Sequence, residues 1–156
     1  MIARETLLDV VNPLVEVLPR YHPDAADVNE ALDDGVASCA AGLLLQEAYP
    51  NPNLYDIRFG YAAHHAGDYV GEQGTYVRMG HAVASFCVPG SVPLVIESYT
   101  DGSIEVVTPT AEHDSYTWMG LEDGYRTYLA EADLADVEVD PVEILSCLRT
   151  SLQNAA

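Results

Sequence analysis

The apolar residues of this 156-residue chain change their spacing at Pro50-Asn51-Pro52, and that change most limits the folds open to it. Before this point they recur at the spacing of one helix face. After it they alternate with polar residues, as in strands that bury one side. Because a helix cannot continue through the two prolines, the helical part must end there. Helices followed by strands predict an α+β fold.

Three helices are predicted from these patterns. The first spans the apolar positions 7–18, where Pro13 kinks or divides it. The second is a buried helix from Ser38 to Tyr49, which Gly35 and a run of small residues open. A last helix, with an apolar face, follows Asp140-Pro141 and ends near residue 152.

The middle of the chain predicts an antiparallel sheet. Turn residues separate its strands, and the residues beyond Pro109 are predicted to be irregular. A chain of this length has room for one domain, so residues 1–156 are expected to form a single unit. The four predicted strands are residues 53–63, 75–88, 93–100 and 103–109.

The charge of the chain excludes several classes of partner. It has 25 acidic and six basic residues, all six of them Arg, and a formal net charge of −19. Such a charge repels phosphate backbones and anionic lipids, so neither nucleic acid nor membrane is expected as a partner. Neutral or cationic ligands fit better. The acidity is also typical of a solvated surface suited to high salt, which screens self-repulsion.

The sequence predicts a cytoplasmic protein without disulfides. No apolar run approaches the ~20 residues of a membrane span, and acidic residues and a proline interrupt the N-terminal apolar stretch. Cys39, Cys87 and Cys147 are an odd number without paired spacing. Cys147 is interpreted as a residue that fills the core, and Cys87 either as core filler or as a second thiol near the cleft, since it shares the alternating face of His81.

Cys39 is the candidate nucleophile. At the start of its predicted helix the thiol would have a lowered pKa, and the small residues around it would let a substrate approach. A buried cysteine that fills space on an Ala-rich helix is the alternative interpretation.

His81 and Glu97 are the candidate base and orienting acid. A three-residue turn at residues 88–90 would place Glu97 directly opposite His81 on one face of a hairpin, whereas a two-residue turn would place it on the other face. Asp101 and Glu105 are alternative acids. A core histidine and an exposed glutamate are the corresponding structural interpretations.

Four segments in this order resemble the transglutaminase-like superfamily: GVASCAAGLLLQEA, YDIRFGY, GHAVASFCVPG and LVIES. The resemblance implies a papain-like fold in which the helix that carries Cys39 packs against a sheet that carries His81 and Glu97. It also implies a Cys-His-Glu triad that forms a thioester on a peptide-like carbonyl, as in a peptidase, amidase or acyltransferase, with hydrolysis favoured. Glu97 stands where the family usually has Asp, and Val83 where an aromatic residue is common. An inactive binding or structural relative is therefore the alternative.

Three further residues are expected near the substrate, a peptide or small acyl compound: Tyr61 and His64 at a strand end, and Trp118. Adjacent His64 and His65 point to opposite faces of a strand, so they cannot chelate one ion together. No metal-ligand motif, phosphate loop or dinucleotide fingerprint is present, so neither a metal nor a cofactor is expected. The sequence does not determine the oligomeric state.

Overall fold

The computed structural model describes residues 2–16, 30–64, 79–98, 103–131, 140–143, 145, 146 and 150. Up to residue 131 these ranges contain four α-helices and five strands, and a 3-10 turn, Asn12–Glu16, follows the first helix at Pro13. The helices are α1 (Arg4–Val11), α2 (Glu30–Ala48), α3 (Ala111–Asp114) and α4 (Leu121–Glu131). The strands are β1 (Asp56–His64), β2 (Met79–Cys87), β3 (Leu94–Ser98), β4 (Ile104–Val107) and β5 (Thr117–Met119).

The strands form one antiparallel sheet in the order β4-β3-β2-β1-β5. Strands β1 and β2 pair along their whole lengths, from Asp56 opposite Cys87 to His64 opposite Met79. The sheet and its helices confirm the α+β class, and each of the four predicted strands is present in the described residues.

The two faces of the sheet have different surroundings. The inner face contacts α1, α2 and α4, and its buried side chains join those of the helices in the main core. The outer face carries a smaller cluster formed by Val83, Val95 and Tyr116. Because side chains alternate along a strand, neighbouring residues of β2 belong to different clusters. The sheet contributes these residues to the main core: Ile57, Phe59, Tyr61, Ala82, Ala84, Phe86, Ile96, Ile104 and Val106.

A crossover segment, residues 108–116, connects the two edges of the sheet. It leaves β4 at one edge, includes α3, and reaches β5 at the other edge. On the way it covers part of the outer face, where Tyr116 is buried against Val83 and Val95. The crossover segment therefore brings polar side chains onto a face that the strands alone would leave exposed.

Two sequence predictions of the fold are wrong. Helix α2 begins at Glu30 rather than at Ser38. Gly35, which was predicted to open the helix, lies inside it and close to Tyr128 of α4. The residues beyond Pro109 are not irregular, since they contain α3, β5 and α4.

Parts of other predictions lie outside the described residues. The last predicted helix does so in part, and so do residues 75–78 and 99–100 of two predicted strands. Residues 141–143, 145, 146 and 150 are helical, and Asp140 accepts a hydrogen bond from the backbone N–H of Val142. No helix within the described ranges is long and apolar enough to cross a membrane.

Candidate functional site

Cys39 lies in the middle of α2, and its surroundings keep the thiol protonated. Its side chain is 1% exposed, and the Sγ donates a weak hydrogen bond to the carbonyl oxygen of Leu121, at 3.7 Å. Burial, together with the negative charges of Glu122 and Asp140, raises the pKa of the Cys39 thiol to about 12. The expected position at a helix N-terminus is wrong, because α2 begins nine residues earlier, at Glu30. A neutral, buried thiol is a poor nucleophile.

The sheet separates Cys39 from His81. Cys39 belongs to the main core with Ala82 and Ala84, on the inner face. His81 is adjacent to Ala82 in β2 and points to the outer face, where its ring contacts Tyr116 with centroids 6.0 Å apart. The structure therefore does not bring Cys39 together with His81 and Glu97, and the expected triad is not assembled.

His81 and Glu97 do lie together, as the sequence predicts. The Nε2 of His81 is 3.5 Å from Oε1 of Glu97, on the outer face. The predicted register is shifted by two residues, because β2 and β3 pair Ala84 with Ile96 and Phe86 with Leu94. This register continues to Val83 opposite Glu97. A shift of two residues leaves a side chain on the same face, so Glu97 still reaches the imidazole.

His113 is a closer partner of Glu97, at 2.7 Å between Nε2 and Oε1. The backbone N–H of Thr110 donates to the other ring nitrogen, Nδ1, at 3.0 Å. Since Nδ1 accepts this bond, the proton of the neutral ring lies on Nε2, which donates to Glu97. Thus α3 supplies a buried histidine with a fixed tautomer to the carboxylate.

The electrostatics of this cluster favour an ionised Glu97. The hydrogen bond with His81 is the largest cause that lowers the pKa of the Glu97 carboxyl, and the bond with His113 adds to it, whereas burial acts in the opposite direction. The Glu97 side chain is 16% exposed and that of His81 is 33% exposed. The cluster thus presents one accessible imidazole, paired with a partly buried carboxylate.

The described residues of this cluster do not form a complete set of metal ligands. Among the residues that the structure describes, no group of three or more His, Cys, Asp or Glu side chains could hold a metal ion. The Nε2 of His113 carries a proton in the observed arrangement, so its lone pair is not available as a ligand.

The predicted substrate-binding residues Tyr61 and Trp118 lie on opposite faces of the sheet. Tyr61 is buried in the main core, with ring centroids 5.5 Å from Tyr128. Trp118 lies on the outer face, across from Gly60, and its Nε1 donates to the carbonyl oxygen of His113 at 3.2 Å. Trp118 therefore holds the crossover segment in place, and the two aromatic residues do not share a binding wall.

The remaining candidates are distributed as follows. His64 is the last residue of β1, and Asp101 and Cys147 lie outside the described residues. Glu105, the other alternative acid, lies opposite Glu97 on β4. Cys87 is at the far end of β2 from His81, where its Sγ is 3.4 Å from the carbonyl oxygen of Ser91.

Sequence reasoning did not connect His113 and Tyr116 with the site. Thr110 and His113 stand three residues apart at a helix start, as in a capping box, but His replaces the usual Glu or Gln. The local sequence thus indicates weakly that a helix begins at α3, but it does not predict that α3 lies over β3.

Comparisons with protein-family models, with curated proteins and with solved structures found no match to this chain. The transglutaminase-like resemblance consequently stays a prediction that rests on the four sequence segments.

Proposed function

We propose that this chain is a catalytically inactive, transglutaminase-like binding protein for a peptide or small acyl ligand. One observation carries the proposal: the only cysteine that the sequence places as a nucleophile is buried on the inner face, while His81 and Glu97 pair on the outer face. An antiparallel sheet with a histidine and an acid on adjacent strands, packed against a cysteine-bearing helix, supports the papain-like relationship. The protonated thiol supports the loss of thioester chemistry.

Cysteine alkylation tests the proposal directly. The native protein is treated with iodoacetamide at neutral pH, and the adducts are mapped by peptide mass spectrometry. We expect Cys39 to react at least about tenfold more slowly than the partly exposed Cys87, because burial disfavours the thiolate. In urea the two thiols should react at similar rates. Replacement of His81 by Gln should leave Cys39 labelling unchanged.

Labelling of Cys39 that is faster than that of Cys87, and slower in His81→Gln, would instead support a cysteine hydrolase or acyltransferase. The same variant tests an enzyme that uses His81 and Glu97 to activate water without a thiol. With p-nitrophenyl acetate, we expect equal hydrolysis by the wild type and by His81→Gln. A large loss in the variant would favour the hydrolase.

A further inference from the structure

The end of the sheet that is distant from His81 contains a groove. Its walls come from the start of α1, the end of β2, the β2–β3 turn and the residue after β4, and its volume is about 600 Å³. Small-molecule sites typically enclose about 300–1,000 Å³. The lining residues are Ile2, Ala3, Arg4, Phe86, Val88, Gly90, Ser91, Val92, Leu94 and Thr108.

The walls of the groove are mainly apolar. Phe86 lies at its base as part of the main core, with Val88 and Leu94 partly buried against the same core. Val92 stands on the β2–β3 turn, and its side chain is 72% exposed. An exposed valine at the rim of an apolar groove costs free energy in water, and an apolar ligand would remove this cost.

Arg4 is the only charged residue among the described residues that line the groove. Its guanidinium donates a hydrogen bond to the Thr108 hydroxyl, at 2.5 Å, so its described partner is neutral. Two other arginines of the chain, Arg58 and Arg126, each pair with a carboxylate close in sequence. Arg4 therefore retains the donors and the charge that a planar carboxylate requires.

The negative charge of the whole chain makes Arg4 a sign of an anion-binding site. With a net charge of −19, the surface repels anions in general, so an anionic ligand needs a site that lacks acidic side chains and contains a cation. The groove meets both conditions in its described lining.

From this combination we infer that the groove binds a small acyl carboxylate, with the carboxylate at Arg4 and the hydrocarbon chain against Phe86, Val88, Val92 and Leu94. The inference rests on the proposed binding function and names its ligand class. The groove is distinct from the His81–Glu97 cluster, since His81 and Phe86 are roughly 17 Å apart along an extended strand.

Titration with octanoate tests this assignment on the full-length protein, and 1-octanol is the uncharged probe of equal chain length. Methyl resonances of Ile2, Val88, Val92 and Leu94 are followed by NMR. We expect saturable shifts confined to these methyl groups. Arg4→Gln should weaken octanoate binding about tenfold, through loss of a charge-assisted bond, and leave octanol binding unchanged.

Two further variants complete the test. Arg126→Gln, on the exposed side of α4, is the matched control and should change neither affinity. Val92→Glu adds a carboxylate at the rim of the groove, at an exposed position where the change should not disturb folding. It should weaken the binding of octanoate more than the binding of octanol.

The assignment of the groove would be overturned if octanoate caused no saturable shifts. It would also be overturned if Arg4→Gln weakened the binding of octanoate and of octanol equally. The proposed function is judged separately. Rapid Cys39 alkylation would overturn the function and not the groove, whereas an inert Cys39 with no octanoate binding would overturn the groove alone.

Discussion

At the scale of single residues, Glu97 lies between two imidazoles that differ in solvent exposure. His113 is buried, and both of its ring nitrogens are engaged, by Thr110 and by Glu97. These two contacts fix the orientation of the His113 ring. His81 is more exposed and lies farther from the carboxylate. Of the two rings, His81 is therefore the one that a ligand can approach.

Replacement of Glu97 by Gln tests the energetic role of this carboxylate. Because the folded-state pKa lies below the usual 4.5, the ionised group stabilises the fold above that pH, and the contribution is lost as pH falls through the lowered pKa. We expect Glu97→Gln to lower the free energy of unfolding by about 1–2 kcal/mol at pH 7. The difference from the wild type should shrink below about pH 4.5 in urea denaturation experiments.

Glu105→Gln is the matched control for this change, since Glu105 lies opposite Glu97 but has an exposed side chain. It should alter the stability at pH 7 by less than Glu97→Gln does. A difference between Glu97→Gln and the wild type that stays constant or grows as the pH falls below about 4.5 would contradict the assigned role of the carboxylate.

The sequence predicted single residues only where local alternation decides their position. The shared face of His81 and Glu97 follows from strand periodicity, which tolerates a register shift of two residues. The position of Cys39 depends instead on the packing of α2 against Leu121 of α4, a contact between residues far apart in the chain. Local patterns contain no information about such a contact, so the face of the sheet that meets the thiol could not be predicted.

At the scale of elements, two glycines explain why the start of helix α2 was predicted incorrectly. Gly35 and Gly42 lie inside α2, where an added Cβ would come within 3.0 Å of Tyr128 and Leu121, respectively. Their function is close approach of α2 and α4, whereas glycine in a sequence is ordinarily a sign of a helix boundary. The predicted helix was therefore too short. Strands β1 to β4 were predicted because their alternation is local, whereas the three-residue β5 is too short to show one.

Gly60→Ala tests the contact that joins β1 to β5. A Cβ at Gly60 would come within 2.3 Å of the ring of Trp118, which is rigid and must move as a whole. We expect a loss of about 1–3 kcal/mol in stability, as overpacking costs elsewhere. Trp118 is the only tryptophan, so its displacement should shift the intrinsic fluorescence emission to longer wavelength.

Gly120→Ala provides the control, since a Cβ at Gly120 would meet no atom within 4 Å. A double-mutant cycle with Trp118→Ala then isolates the contact, because Gly60→Ala should cost little once the ring is absent. An equal cost of Gly60→Ala in both backgrounds would show that the strand itself, and not the ring, determines the loss.

At the scale of the whole molecule, the excess of acidic residues opposes folding. Arg58 and Arg126 form exposed pairs with Asp56 and Glu122, and such local pairs contribute little to stability. Six arginines cannot neutralise 25 acidic residues, so most carboxylates repel one another across the folded surface. The repulsion is weaker in the expanded unfolded chain. Screening by salt should therefore stabilise the folded state.

Thermal unfolding at different NaCl concentrations measures the effect of this repulsion between carboxylates on stability. Between about 0.1 M and about 1 M salt the Debye length falls from about 10 Å to about 3 Å, which is shorter than most separations between surface charges. We expect the melting temperature to rise by at least about 5 °C. Sucrose at equal osmolality is the control, because it is excluded from protein surfaces but does not screen charge, and its effect should be smaller. If both cosolutes raise the melting temperature equally, exclusion accounts for the effect. A melting temperature unchanged by NaCl would mean that the carboxylates are spaced widely enough for water alone to screen them.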